Sequence, residues 1–171
     1  MRKLIFLLTL LFVLLFPGFV FAVGTVVQGD VTVVFKNTFT LTFTCTGDAA
    51  DGSIPNTDVT TANTTKLKGL YLYKVEAFPT SEGTAPNPAD VMVYDEDGLD
   101  LLGSEDGGTT AYAGLTLVHA TLKRTTLPNL YLPRAGNHVN YFPQITGVLT
   151  LDVDNQTTAS ANWTIVLTFV R

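Results

Sequence analysis

Residues 38–46 read T-F-T-L-T-F-T-C-T, in which four apolar residues alternate with five threonines. Successive side chains of a β-strand point to opposite faces, so this alternation predicts a strand with one apolar face and one threonine face. Cys45 falls on the apolar face, which predicts a small buried side chain and not a reactive thiol. We therefore expect this strand to belong to a sheet that is buried on one side.

Similar patterns on both sides of this stretch predict further strands. Residues 31–35 are expected to pair with it through a bend at residues 36 and 37. Residues 66–78 and 91–94 predict two more strands. Residues 111–123 fit either a strand face or a helical stripe, and the β-rich context favours a strand.

Two alternating segments close the chain, and both predict half-buried strands. Their inward side chains are expected to be Leu149, Leu151 and Val153 in the first segment and Trp163, Ile165, Leu167 and Phe169 in the second. Thr164 and Thr168 are expected to face outward. Polar, glycine-rich and proline-rich stretches separate the strands and predict loops, at residues 47–65 (with one short edge strand near Val59), 79–88, 95–98, 103–108 and 128–143.

Seven or eight short strands without a long amphipathic helix or a repeat of fixed period indicate an all-β protein. We predict an antiparallel two-sheet β-sandwich that forms a single domain from residue 23 to residue 171. A chain of this length can bury a core without disulfides, and its single cysteine, Cys45, excludes an intramolecular disulfide.

Residues 1–22 have the pattern of a secretory signal peptide. Arg2 and Lys3 precede an apolar run, Pro17 and Gly18 interrupt it, and Val20 and Ala22 are small residues at the expected cleavage site. A retained membrane anchor is the alternative, although a proline and a glycine within the helix favour cleavage. The pattern predicts a secreted, periplasmic or surface-exposed protein, which contacts a membrane only if this segment is retained.

The charge balance excludes some partners. Without residues 1–22 the chain has 8 basic and 15 acidic residues, a net charge of −7. An acidic chain without a basic patch repels the phosphates of nucleic acids, so we expect no nucleic-acid binding. Anionic membrane surfaces are disfavoured for the same reason.

An acidic turn at residues 95–100, D-E-D-G-L-D, is the candidate metal site. Calcium prefers several oxygen ligands from a turn with spaced carboxylates, and Asp95, Asp97 and Asp100 partly match that requirement. The twelfth position counted from Asp95 is Asp106, where an EF-hand has glutamate. The alternative is a solvated acidic β-turn, and we expect no other cofactor.

Other chemistry has little support in the sequence. His119 and His138 lack metal-ligand spacing, no serine lies in a G-x-S-x-G elbow, and no glycine-rich phosphate loop follows a strand. A sugar-stacking face could be built from aromatic residues, which are Tyr71, Tyr73, Tyr94, Tyr112, Tyr131, Tyr141 and Trp163. At strand positions such residues more often pack against cross-strand neighbours.

Residues 69–103 read GLYLYKVEAFPTSEGTAPNPADVMVYDEDGLDLLG and resemble a class of small tailed-phage proteins. In that class a glycine opens a strand, a proline-bounded loop follows, and a Y-D…D-E-D-G-x-D-x-L-G segment comes next. The resemblance implies a virion-associated structural protein, and the class has no known enzymatic activity to carry over to this chain. The chain differs from that class in its predicted signal peptide and in a longer segment at residues 123–143.

These observations together predict a non-enzymatic, exported structural or surface-interaction protein, with a phage-derived virion component as its more specific form. Its partners are expected to be proteins, and specifically further copies that meet through exposed sheet edges and proline-rich loops. The alternatives are a carbohydrate-binding module that uses a Tyr/Trp face, and a calcium-dependent domain or a hydrolase whose carboxylates include Asp95 and Asp97.

Overall fold

The computed structural model describes residues 23–80, 83–87, 89–102, 115–117, 124–128, 142–154 and 156–171. Within these ranges the chain forms ten strands and one short helix. They are β1 (Thr25–Gln28), β2 (Thr32–Phe35), β3 (Thr38–Thr46), β4 (Thr57–Asp58), α1 (Thr61–Leu67), β5 (Tyr71–Pro79), β6 (Ala89–Tyr94), β7 (Leu115–Leu117), β8 (Arg124–Thr126), β9 (Thr150–Asp154) and β10 (Asn162–Val170). The predicted signal peptide and both histidines lie outside the described residues.

The strands form two antiparallel sheets, which confirms the predicted all-β sandwich. The larger sheet has the order β1-β3-β10-β5-β8, with β2 also paired to β3, and the smaller sheet has the order β4-β9-β6-β7. Ten strands are described instead of the seven or eight expected, and the two that the sequence did not predict are β1 and β8. In the described part of the chain, no helix is long and apolar enough to cross a membrane.

The core lies between the two sheets, and period-two alternation places its residues there. Leu41, Phe43 and Cys45 of β3 are fully buried. The predicted inward residues of the last two segments are also buried, and they are Leu149, Leu151, Val153, Trp163, Ile165, Leu167 and Phe169. The smaller sheet adds Val91 and Val93 from β6. The sequence pattern therefore identified the inner faces of β3, β9 and β10.

The short edge strand predicted near Val59 is present as β4, but helix α1 lies partly in residues 47–65, where a loop was otherwise expected. The strand predicted from residue 66 also begins later, at Tyr71. Threonine has low helix propensity and α1 has no amphipathic pattern, so local sequence gives no helix signal. The Thr60 hydroxyl caps the helix by accepting a hydrogen bond from the backbone N–H of Asn63.

Candidate functional site

The outer edge of β3 carries both β1 and β2, one after the other. Strand β1 pairs with the C-terminal half of β3, from Thr25 opposite Thr46 to Gln28 opposite Phe43. Strand β2 pairs with its N-terminal half, where Thr32 lies opposite Thr40. The two strands form one interrupted edge of the larger sheet, and no third strand pairs with that edge among the described residues.

Strand β2 exposes three consecutive large apolar side chains. Val33 is 65% exposed, Val34 is 50% exposed and Phe35 is 73% exposed. The register shifts between Val33, opposite Phe39, and Phe35, opposite Thr38. Val34 is the extra residue of this β-bulge, which places neighbouring side chains outside simple alternation. An edge strand with this composition is a template for pairing with another chain.

The backbone of Val33 faces away from the sheet. Gly29 N–H donates to the Thr42 carbonyl at 2.8 Å, so Thr42 directs its backbone groups toward the edge strands. The backbone groups of Thr40, two residues earlier, point in the same direction, and Thr40 lies opposite Thr32. The hydrogen-bonding groups of Thr32 therefore face β3, and those of the next residue, Val33, point outward.

Asn63 of α1 closes the interruption between β1 and β2. Its side-chain oxygen accepts from the Val31 N–H at 3.0 Å, and its side-chain nitrogen donates to the Gly29 carbonyl at 2.8 Å. The amide therefore replaces a neighbouring strand at this point of the edge. Asn63 is buried, and the Thr60 N–H adds a third link by donating to Gln28 Oε1 at 3.1 Å. This link closes the gap between the two strands, and the outer edge of β2 has no partner strand among the described residues.

A groove of about 430 Å³ crosses the outer face of the larger sheet beside β2. Its floor includes the threonines Thr38, Thr40 and Thr168. One wall is the bulge residue Val34 together with Phe35, and the other includes Tyr73, Lys74 and Glu76. Each wall contains a bulge residue. Val34 is the extra residue of β2. Tyr73 is the extra residue of β5, because Thr168 pairs with Lys74 whereas Phe169 pairs with Leu72.

The groove explains why Thr168 departs from its predicted exposure. Thr168 lies on the outer face, as expected, but it is only 5% exposed because it forms part of the groove floor. Lys74 and Glu76 form an ion pair at 3.0 Å on the wall. Next to it, the rings of Tyr73 and Phe142 are 5.4 Å apart and tilted by 37°. The groove thus combines apolar, aromatic, hydroxyl and charged groups.

The structure corrects the proposed Tyr/Trp face. Trp163 is fully buried in the core, so it cannot stack on a sugar at the surface. Tyr94 lies on the smaller sheet, away from the groove, and is half-buried. Tyr71 and Tyr73 are exposed on β5, but only Tyr73 lines the groove. The remaining predicted residues, Tyr112, Tyr131 and Tyr141, lie outside the described residues.

The carboxylates of the acidic turn accept hydrogen bonds from its own backbone N–H groups. Asp95 Oδ1 accepts from the N–H groups of Asp97 and Leu99 at 3.0 and 2.9 Å. Asp100 is buried, and its Oδ1 accepts from the Leu102 N–H at 3.0 Å. Gly98 adopts a φ of +79°, which only glycine tolerates easily, and this allows the tight reversal.

Asp97 is exposed at the tip of this turn. Within the described ranges, no three carboxylate, imidazole or thiol groups are arranged so that they could hold a metal ion. Asp106, at the twelfth position counted from Asp95, lies outside those ranges. Calcium binding by Asp95, Asp97 and Asp100 therefore stays a prediction.

A second acidic group lies on the outer face of the smaller sheet. Asp90 is directly opposite Asp154, and Asp152 follows two residues before Asp154 on β9. Burial raises the pKa of Asp152, and the charges of Asp154 and Asp100 raise it further. Burial and the same carboxylates also raise the pKa of Tyr94. This face therefore disfavours further negative charge.

We expect Asp152→Asn to stabilise the protein by up to about 1 kcal/mol at pH 7, because it removes a partly buried charge among like charges. The raised native pKa means that ionisation of Asp152 disfavours the folded state at neutral pH. The wild-type protein regains this free energy as the pH falls through the native pKa of Asp152 toward the pKa of the same group in the unfolded chain. The advantage of the variant should therefore shrink in urea titrations toward pH 4. Asp97→Asn, an equal charge change at an exposed site, should leave stability unchanged.

Cys45 is fully buried, and burial raises its pKa to about 12. Because the thiolate is the reactive form, we expect a thiol reagent such as dithionitrobenzoate to leave the native protein unmodified at pH 8. One thiol per chain should react once guanidinium unfolds the protein. Rapid labelling without denaturant would contradict the position of Cys45 in the core.

The sequence contained one signal for the exposed edge. Residues 31–35 are V-T-V-V-F, and three consecutive apolar residues cannot all lie on one face of a strand. The predicted pairing of this segment with β3 is confirmed, but its exposure depends on its position at the edge, where no other described strand lies beside it. No protein-family model matches this chain, and a search of curated proteins finds no significant match.

Proposed function

We propose that this chain is a non-enzymatic structural or surface-interaction protein that acts outside the cytoplasm and docks its partners at β2. The observation that carries the proposal is the exposure of Val33, Val34 and Phe35 on an open edge strand. Burying one such side chain contributes about 1.5–3 kcal/mol, so a partner strand that covers them gains substantial free energy. Backbone pairing at the edge adds direction to that contact.

The edge strands at the other ends of the sheets offer a shorter surface for pairing. The described edge strands β4, β7 and β8 have two, three and three residues. Proteins restrict unwanted pairing by keeping edge strands short or by covering them, and α1 covers the gap between β1 and β2 in this way. Strand β2 is therefore the described edge strand that presents three exposed large apolar side chains to a partner.

Three features of the sequence support the location, the role and the class of partner. The predicted signal peptide at residues 1–22 supports export. The resemblance of residues 69–103 to small tailed-phage proteins supports a structural role, and a virion component is the specific form that it suggests. The net charge of −7 without residues 1–22 supports protein partners over nucleic acids.

A selection from a random octapeptide library tests docking at β2. The wild-type protein should enrich apolar, strand-forming peptides, and a Val34→Lys/Phe35→Lys variant should not, because two charges on the edge oppose pairing. The matched control is Thr42→Lys/Thr44→Lys, which places the same charges on the outer face of β3. No enrichment by the wild-type protein, or equal enrichment by the β2 variant, would overturn the proposal.

Carbohydrate binding in the groove is the second candidate function, because Tyr73 and Phe142 expose a pair of aromatic rings beside threonine hydroxyls. Aromatic faces stack on sugar rings and hydroxyl groups bind sugar hydroxyls. On a glycan array, Tyr73→Ala should abolish any binding that the wild-type protein shows. Tyr71→Ala is the matched control, since Tyr71 is equally exposed on the same strand but does not line the groove. An array without wild-type signal would exclude this candidate.

A further inference from the structure

We propose that Asp97–Gly98, in the acidic turn, is a site of spontaneous aspartate isomerisation in the folded protein, whereas folding protects the pair Asp51–Gly52. The chain contains three Asp–Gly pairs, and the third, Asp106–Gly107, lies outside the described residues. The modification needs neither an enzyme nor a cofactor, and it does not depend on docking at β2.

Asp–Gly pairs isomerise through a five-membered succinimide ring. The backbone nitrogen of the glycine attacks the side-chain carboxyl carbon of the aspartate, a C–N bond forms, and the nitrogen's proton leaves with a carboxyl oxygen as water. Water then opens the ring at either carbonyl carbon. Opening at the original backbone carbonyl leaves isoaspartate, so no atom and no electron is gained or lost overall. Glycine favours ring closure because it has no Cβ to obstruct the approach of its nitrogen.

Each turn must open before this attack, since both glycine nitrogens are hydrogen-bonded in the folded chain. The Gly98 N–H donates to the Asp95 carbonyl at 3.0 Å, and the Gly52 N–H donates to the Asp48 carbonyl at 3.1 Å. A nitrogen held in this way cannot turn toward the neighbouring carboxyl carbon. The rate at each pair therefore depends on the free energy of local opening, which is low in exposed loops and approaches the global value in the core.

The tip of the acidic turn is held only by local contacts. Asp97 and Gly98 are exposed, and Asp95 accepts from the backbone N–H groups of residues 97–99. Among the described residues, no atom beyond the chain neighbours lies within 4 Å of the position that a Cβ would take at Gly98. No described group donates a hydrogen bond to the Asp97 carboxylate, so this side chain can rotate toward the Gly98 nitrogen. Opening this tip therefore disturbs no other part of the fold.

Gly52, by contrast, is enclosed by a second loop. It is buried, and a Cβ added there would lie 2.7 Å from backbone atoms of Thr158. The Asp48 carbonyl that accepts from Gly52 also accepts from the Ser160 N–H at 3.0 Å. Opening this turn therefore separates two packed loops that are distant in sequence, and it costs more free energy than opening the acidic turn.

The Asp51 carboxylate is also restrained. Its Oδ1 accepts from the Ser53 N–H at 2.9 Å, which holds the side chain toward Ser53. Hydrogen bonds from the backbone and the side chain of Ser53 lower the pKa of Asp51, so less of its carboxyl is in the neutral form that loses water. Position and ionisation both oppose ring closure at Asp51–Gly52.

Isomerisation lengthens the acidic turn and keeps its charge. It adds one carbon to the backbone path between Asp97 and Gly98, and the carboxylate moves to the carbon of the former backbone carbonyl. The Gly98 N–H then lies one atom further along the chain from Asp95, so the reversal that now places it 3.0 Å from the Asp95 carbonyl is altered. Because the tip is exposed, we expect the sheets to keep their structure.

Incubation of the native exported protein for several weeks at physiological temperature and neutral pH tests the inference. Electron-transfer fragmentation of proteolytic peptides locates each isoaspartate through ions specific to the extra backbone carbon. Isoaspartate should accumulate at Asp97 at least about tenfold faster than at Asp51, because the opening free energies differ. In guanidinium neither turn is held, so both pairs should isomerise at similar rates. The same ions distinguish Asp97 from Asp106.

Two variants test the chemistry and the role of turn opening. Asp97→Glu keeps the charge but requires a six-membered ring, which closes far more slowly, so isomerisation at this position should disappear while Asp51 is unaffected. Asp95→Ala removes the carboxylate that accepts from residues 97 and 99, so the turn should open more often and isomerisation at Asp97 should accelerate. Circular dichroism should show the wild-type sheet spectrum for both variants.

Equal rates at Asp97 and Asp51 in the native protein would overturn the inference, as would faster modification at Asp51. Native protein that forms no isoaspartate at Asp97, while the protein in guanidinium does, would show that folding protects this pair as well. An unchanged rate at Asp97 in folded Asp95→Ala would contradict control by turn opening.

Discussion

Phe43→Ala is expected to lower the free energy of unfolding by about 3–5 kcal/mol, the usual cost of removing a fully buried aromatic side chain. Phe43 is fully buried at the centre of the core. It lies opposite Gln28 of β1 and Ile165 of β10, so strands on both sides hold its backbone in place. The surrounding side chains can therefore collapse only partly into the cavity, and most of the lost contact is not recovered.

Urea denaturation followed by Trp163 fluorescence measures this effect. Trp163 is the single tryptophan and it is fully buried, so its emission reports the opening of the core. Thr44→Ala is the matched control, because Thr44 is the next residue of β3 and is exposed on the opposite face. We expect the control to change stability by only about 0.5 kcal/mol. A loss below about 1 kcal/mol for Phe43→Ala would contradict its place in the core.

Asn63→Leu is expected to lower the free energy of unfolding by about 1–3 kcal/mol. The substitution removes both amide hydrogen bonds, so the Val31 N–H and the Gly29 carbonyl lose their partners. Leucine has a similar size and better helix propensity, so neither packing volume nor the helix itself explains a loss. The expected cost is therefore specific to the link between α1 and the sheet edge.

Hydrogen exchange at the Val31 amide gives a local measurement of the same prediction. Its protection should fall strongly in Asn63→Leu, while amides in β10 should change only with global stability. Thr61→Ala is the matched control, because Thr61 is exposed at the start of the same helix and should leave both readouts unchanged. Unaltered exchange at Val31 in Asn63→Leu would show that the amide does not bind this backbone group.

Asn63→Asp separates the two hydrogen bonds. The carboxylate can still accept from the Val31 N–H, but it cannot donate to the Gly29 carbonyl and it adds a buried charge. Burial should raise the pKa of the new carboxyl above its unfolded value. The deficit of this variant should then be largest at neutral pH and should shrink as the pH falls through the raised pKa, because the protonated carboxyl can donate. A deficit independent of pH would contradict this account.

The sequence by itself determined the elements whose pattern is local. Period-two alternation identified β3, β9 and β10 and their inner faces, since the direction of a strand side chain depends only on its position along the strand. The acidic turn was located correctly between β6 and the residues that follow it. Spacing alone did not show that Oδ1 of Asp95 and Oδ1 of Asp100 accept hydrogen bonds from neighbouring backbone N–H groups.

The tertiary structure decided everything that depends on neighbours distant in sequence. Helix α1 forms although its sequence lacks a helical pattern, because Asn63 satisfies backbone groups more than 30 residues away. Thr168 is buried because the bulge residues Val34 and Tyr73 line the groove on either side of it. Strand β2 is exposed because it is an edge strand among the described residues, and its own sequence does not show which strands lie beside it. Local patterns set the direction of side chains, whereas strand order sets which of them meet solvent.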